Sequence, residues 1–233
     1  SDMLSASSAT GIAMTDFAGA VYSSISASVD QADAVAFTTD AIKLAKAGFT
    51  SASTAVDVLT TAINAYGLSA DDATHISDVL IETQNLGKTT VDELAGSMGR
   101  VIPIASAYGV NLENLSSAYA VLTKGGIGTA EATTYTKSML TELSNTGSKV
   151  AKVLKKQTGK SFSELMASGN SLGDVLAILY TAAGEDSTAF ANLWSSTEAG
   201  TGALALANAG VEEFNNTLTA MNNSTDATAT AYE

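Results

Sequence analysis

The chain has no cysteine among its 233 residues, so disulfide staples and thiolate chemistry are out, while the compartment stays open. It has one proline, Pro103. An all-β chain of this length needs more prolines for its turns, so the scarcity favours helix. His75 is the only histidine, which leaves no second histidine or cysteine to complete a metal set. Aromatic residues make up only 6% against 45% hydrophobic, much of it alanine. That mixture predicts closely approaching helices around a thin core, in a chain long enough to bury about 70% of its unfolded surface. No run of 18 apolar residues is present, so no segment is written to span a bilayer. Ser1-Asp2-Met3-Leu4 lacks the basic start of a signal peptide. Positive charge is scarce too. A net charge of −13 and a pI near 4.3 oppose binding to nucleic acid or anionic membranes. Both ends read as cut from a longer parent. Residues 1–221 read as one helical module, and 222–233 as a polar tail that continues into that parent.

What is present is helical periodicity punctuated by glycine. Ala52, Ala55, Val56, Leu59, Ala62, Ile63 and Tyr66 form the stripe of one buried helix face. Gly67 is placed to end it as a left-handed residue, with Leu68 set for the accompanying apolar contact. Ser69 to Asp72 resembles a capping box, and Thr90 to Glu93 is a full one. Two stripes follow them: Ala73, Ile76, Val79, Leu80, then Val91, Leu94, Met98, Val101, Ala105, Tyr108. Pro103 must kink or split the second near Arg100. Gly109 ends it, and Asn111 caps a helix with Leu112, Leu115, Tyr119 and Leu122 inward. Beyond the loop of Gly125, Gly126 and Gly128, a further helix starts at Thr129.

Gly48, Gly67, Gly87, Gly109 and Gly128 recur at intervals of 19, 20, 22 and 19 residues. The expected architecture is therefore all-α: a multi-helix bundle or solenoid-like stack of antiparallel helices joined by short glycine-containing loops. Poorer helices are expected near 15–27 and 31–47, a lysine-rich one near 148–157, and others from Ser161, Ser171, Ser187 and Val211.

Four features invite a chemical reading. Gly169-Asn-Ser171-Leu-Gly173 fits the nucleophile-elbow pattern, but a capped helix precedes it where a strand is needed, and His75 lies upstream. Ser171 with Asp174 reads as an N-cap instead. Lys124-Gly-Gly-Ile-Gly128 has its lysine on the wrong side for a phosphate loop. His75 sits near Asp71, Asp72 and Asp78, and Asp71 and Asp72 with Glu82 read as a solvated face. Lys149, Lys152, Lys155, Lys156 and Lys160 place five of eleven basic residues on one short stretch. They lie opposite Val150, Val153 and Leu154 and read as a solvated face that pairs with the acidic remainder. Neither arginine nor an aromatic residue is interleaved to stack on bases. No catalytic, cofactor-binding or metal-ligating residue is expected.

Residues 60 to 145 also carry a resemblance. Thr60-Thr-Ala-Ile-Asn-Ala-Tyr-Gly-Leu-Ser-Ala70, Ser77-Asp-Val-Leu80, Leu86-Gly-Lys-Thr-Thr90, Ala107-Tyr-Gly-Val-Asn111 and Gly126-Ile-Gly-Thr-Ala-Glu-Ala-Thr133 resemble, in order and spacing, the core region of phage tail tape-measure proteins. Weaker similarity runs upstream through Ala41 to Gly48 and downstream through Gly159 to Met166 and Gly202 to Ala207. Lys137 stands where the family commonly has arginine. The resemblance implies a structural protein of a phage or prophage tail that sets tail length. It implies no catalytic residues or cofactor, assembly in the bacterial cytoplasm, and partners among tube, tip and assembly proteins or further copies of itself. It implies no sequence-specific nucleic acid and no membrane. The acidic Ser/Thr/Ala-rich composition leaves an alternative, a helical scaffold domain of a bacterial surface or secretion protein.

Overall fold

The computed structural model describes residues 2–232, and every regular element among them is helical. Three helices come first: α1 (Asp2–Thr10), α2 (Met14–Ser26) and α3 (Ala34–Ala47). The long apolar stripe forms α4 (Ala52–Tyr66), capped by the Ser51 hydroxyl, which accepts from the Thr54 N–H at 3.0 Å. Gly67 takes φ 65° and ψ 35°, and the Leu68 N–H returns to the Ile63 carbonyl at 2.9 Å. That is the closure of a Schellman turn. Leu68 itself stays exposed, so the turn closes without the expected apolar contact.

One 3-10 turn (Ala70–Asp72) leads into α5 (Ala73–Leu86). Asp72 supports it by accepting from the Ser69 N–H at 2.8 Å. The Thr90–Glu93 capping box opens α6 (Val91–Met98). The proline splits the next stripe: α7 (Ile102–Ala107) carries Pro103 in its first turn, where a missing N–H costs nothing. Gly109 closes α7 at φ 79°, and the Val110 N–H reaches the Ala105 carbonyl at 2.9 Å. Asn111 then caps α8 (Leu112–Lys124) through the Asn114 N–H at 3.0 Å. The remainder is α9 (Thr129–Ser144), α10 (Lys149–Thr158), α11 (Phe162–Ala167), α12 (Leu172–Ala182), α13 (Ser187–Ala191), α14 (Thr197–Ala209), α15 (Val211–Asn222) and α16 (Ala227–Tyr232).

The core gathers around α8, where 11 of 13 residues are buried. A helix buried on all sides needs neighbours all round, and α5, α7, α9, α14 and α15 supply them. Tyr119, fully buried, satisfies its hydroxyl by donating to Thr133 on α9 at 2.8 Å. The fold is thus a multi-helix bundle with many contacts between helices distant in sequence.

The glycine pattern marks helix ends for two different reasons, with one exception. Gly67 and Gly109 supply the left-handed turn. Gly48 and Gly87 end helices at negative φ, and there the lack of a side chain is what counts. A Cβ on Gly48 would lie 2.5 Å from the Val91 Cβ, and one on Gly87 would lie 2.5 Å from the Thr123 Oγ1. Gly128 ends nothing: it is the residue before α9, and α8 ends at Gly125. Three helices, α1, α14 and α16, carry no stripe strong enough to announce them. The last residues pack: α16 lies against α3 and α5.

Candidate functional site

Serine 171 behaves as an N-cap. It accepts from the Asp174 N–H at 2.9 Å, while Asp174 accepts from the Ser171 N–H at 2.8 Å. Its hydroxyl donates to Asn215 Oδ1 on α15 at 2.6 Å, not to an imidazole. Gly173 is required by packing, since a Cβ there would stand 2.8 Å from the Phe214 ring. The elbow pattern is a helix start pressed against α15. Lys124, at the head of the glycine loop, reaches Glu213 across the α8–α15 contact.

The acids around His75 are not arranged as expected. Its Nε2 lies 2.7 Å from Glu113 Oε1 on α8. Asp78 faces away and is buried to 3% exposure. It accepts from the backbone N–H groups of Asp226 at 3.0 Å and Thr228 at 2.8 Å. It thereby caps α16 from 148 and 150 residues away. A buried carboxylate without a cation is tolerable when backbone donors satisfy it, and a helix N-terminus adds a favourable dipole. Among the described residues, no group of three or more His, Asp or Glu could hold a metal ion. Nor is any helix among them long and apolar enough to cross a membrane.

The lysine helix is the strongest candidate site. Ser148 caps α10 through the Ala151 N–H at 3.1 Å, and Gly159 ends it at φ 73°. Val150 and Leu154 are buried beneath it, with Val153 half-buried beside them. The lysines find few partners. Among the described residues only Lys155 pairs with a carboxylate, Glu164, at 3.7 Å. Lys149 donates to the Asn192 carbonyl at 2.8 Å, and Lys160 to the Ser168 hydroxyl at 3.1 Å. So the expected pairing with the acidic remainder fails for four of the five, because the carboxylates are elsewhere. Residues 132–163 hold six lysines against Glu142 alone, a net of +5, which leaves −18 for the rest of a chain totalling −13. Glu142 is itself occupied, accepting from the Ser195 and Ser196 N–H groups at 2.7 and 2.8 Å.

Between α10, the end of α9 and the start of α11 lies a cleft of about 400 Å³. Leu143, Ala151 and Phe162 line it alongside Lys152, Lys155 and Lys156. The Ser144 hydroxyl at its wall is buried without a partner. The lysine spacing was visible in the sequence. The floor was not, because Leu143 and Phe162 belong to two other helices. This arrangement can bind an anion that carries an apolar portion. It brings no nucleophile and base together.

The architecture and the match to known proteins agree. The model of the phage-related minor tail protein family matches residues 1–193, and the chain belongs to that family. It is a phage tail protein, not a scaffold domain of unrelated origin. Its sequence is 35% identical over 240 residues to the "probable tape measure protein" of Clostridium phage phiCD119. The match takes in 99% of this chain and 25% of that protein, so the chain spans about a quarter of its relative's length. No solved structure matches it.

Proposed function

We propose that this chain is a compact module of a tape-measure protein, distinct from the extended segment that sets tail length. One observation carries the reading. A helical ruler measures at about 1.5 Å per residue and must be one continuous helix. Written that way, 233 residues would reach about 350 Å. The longest helix here, α9, has 16 residues and spans only about 24 Å. Caps and glycine turns fold the rest back on itself. The fully buried α8 gives the same preference in energetic terms, since an extended chain would expose all of it. The relative's name supplies the tape-measure context, and its much greater length leaves room for a separate ruler. The module's work would be docking: to other tail proteins at a tail end, or to assembly factors, within the virion tail.

The experiment is a pair of internal deletions in the parent protein, read by electron microscopy of tails. Removing helices of this module is expected to impair assembly. Removing residues from an extended region is expected to shorten tails in proportion to the residues lost. Normal assembly after deletion of the module, with tails shorter by its full extended-helix length, would overturn the reading.

A further inference from the structure

A cleft and a knob stand at opposite ends of α9. The cleft is the lysine-rimmed one. Its volume, about 400 Å³, falls within the range of about 300–1,000 Å³ seen in sites that take organic groups. Lys152 and Lys156, an i, i+4 pair on its rim, make no ion pair among the described residues. The knob is Phe49, 90% exposed. Its backbone is left-handed at φ 52°, a region that bulky residues seldom enter. Gly48 would ordinarily take that position. Here Gly48 stays at φ −94°, over Val91 where a Cβ would not fit. The turn passes to Phe49, and the ring projects into water.

The two features cannot meet within one copy. Val91, under Gly48, opens α6, and the neighbouring Thr89 hydroxyl lies 2.7 Å from that of Thr129, the first residue of α9. The cleft takes Leu143 and Ser144 from the last turn of the same helix. The length of α9 separates knob from cleft by about 24 Å. Along the sequence, the lysines of the cleft lie in the +5 stretch and the knob lies outside it. Beside the knob, exposed Asp92 accepts from the Thr50 hydroxyl at 2.5 Å.

We propose that the lysine-rimmed cleft docks a second copy of this chain, whose Phe49 seats on the Leu143–Ala151–Phe162 floor. Lys152 and Lys156 close on the carboxylates around that knob, Asp92 first among them. The contact is head-to-tail, so it repeats into a ring or a filament instead of stopping at a symmetric dimer. The apolar floor favours a protein knob over a nucleic-acid backbone, which would leave it empty. No arginine among the cleft's lining residues supplies a fork for a phosphate.

The test uses the 233-residue chain and two surface variants, F49S and K152E/K156E, with circular dichroism to establish that each stays folded. Sedimentation velocity over a range of concentrations is expected to show the parent forming species beyond the dimer. Each variant alone should associate at least about tenfold more weakly. The decisive sample is their mixture. The K152E/K156E copy keeps its knob and the F49S copy keeps its cleft, so together they should form a dimer and go no further. A mixture as monomeric as its components overturns the proposal, as does a parent that stays monomeric at every concentration. Equal association of the parent and both variants overturns it as well. A duplex DNA probe, displaced from the parent by K152E/K156E but not by F49S, would assign the lysines to nucleic acid and likewise overturn it.

Discussion

The central helices α4 to α9 and the terminal helices α14 to α16 are held in different ways. In the centre, three of the six helices carry a side-chain cap of their own. Ser51, Thr90 and Asn111 cap α4, α6 and α8 within three residues, and large apolar side chains fill the interior. At the C-terminal end the decisive contacts are made across the whole chain. Gly202 lets α14 approach α9 so closely that a Cβ would stand 2.7 Å from the Tyr135 Cβ. Asp78, on α5, provides the acceptor that α16 lacks in its own sequence. The central region leans on local signals with packing added. The terminal region keeps one local cap, the Ser196 hydroxyl accepting from the Ala199 N–H at 3.1 Å on α14, and otherwise depends on contacts from distant elements.

Substitutions can break that contrast from either side. The largest effect should come from Gly202→Val, which forces a branched side chain into the α9–α14 seam. A loss of about 3 kcal/mol is expected, measured by urea unfolding, and a loss below about 1 kcal/mol would mean the seam is looser than it looks. Next is Asp78→Ala, expected to cost about 2 kcal/mol by leaving two backbone donors buried without an acceptor. Its signature should be local: hydrogen exchange speeds up in α16 while α8 keeps its protection. Equal acceleration in both would show that α16 is integral to the core.

Thr90→Ala should remove about 1 kcal/mol and act on α6 without touching the terminal helices. The smallest effect is in pH. The Ser161 backbone N–H, then the Ser161 hydroxyl and Lys155, hold Glu164 below the ordinary carboxylate range. Burial pushes Asp174 up, but hydrogen bonds from Asn215 and Ser171 outweigh it and leave it lowered. For carboxylates depressed in the folded state, the stabilisation is complete above their unfolded pKa, about 4. It is lost as pH falls through the folded values. Urea midpoints should therefore drop below about pH 4, and the double variant E164Q/D174N should flatten part of that drop.

The same contrast explains how much could be read beforehand. The all-α class, the stripes of α4 to α9, the split at Pro103 and the left-handed Gly67 and Gly109 all follow from signals a few residues long. Helix α14 escaped because its buried positions, Leu206 apart, are Ala199, Gly200, Gly202 and Ala203, which carry little hydrophobic periodicity. Asp78 shows in the sequence only as an acid near His75, because nothing near it in sequence reveals a helix end arriving from the far terminus. For the candidate site, the lysines could be read and the cleft could not. Spacing fixes which side chains share a helix face, whereas a cavity depends on which other helices leave the space unfilled. Phe49 escaped for a related reason: the left-handed turn position falls one residue past Gly48, which the position of the glycine alone does not reveal.

The capping of α16 also has a mechanical consequence. Tyr232 lies over the ammonium of Lys46 at 5.7 Å and donates to the Ala9 carbonyl at 3.4 Å. Lys46 in turn donates to the carbonyl of Thr10. The last turn of α16 therefore packs beside the last turn of α1. Folded this way, residues 2–232 add little to the contour of any longer chain that carries them. Tension along such a chain would peel α1 and α16 away from Lys46 one contact at a time, instead of shearing the core all at once. Once peeled, the same residues would release hundreds of ångströms of slack at about 3.3 Å each. The fold would thus behave as stored length with a weak latch, and Asp78 is part of that latch.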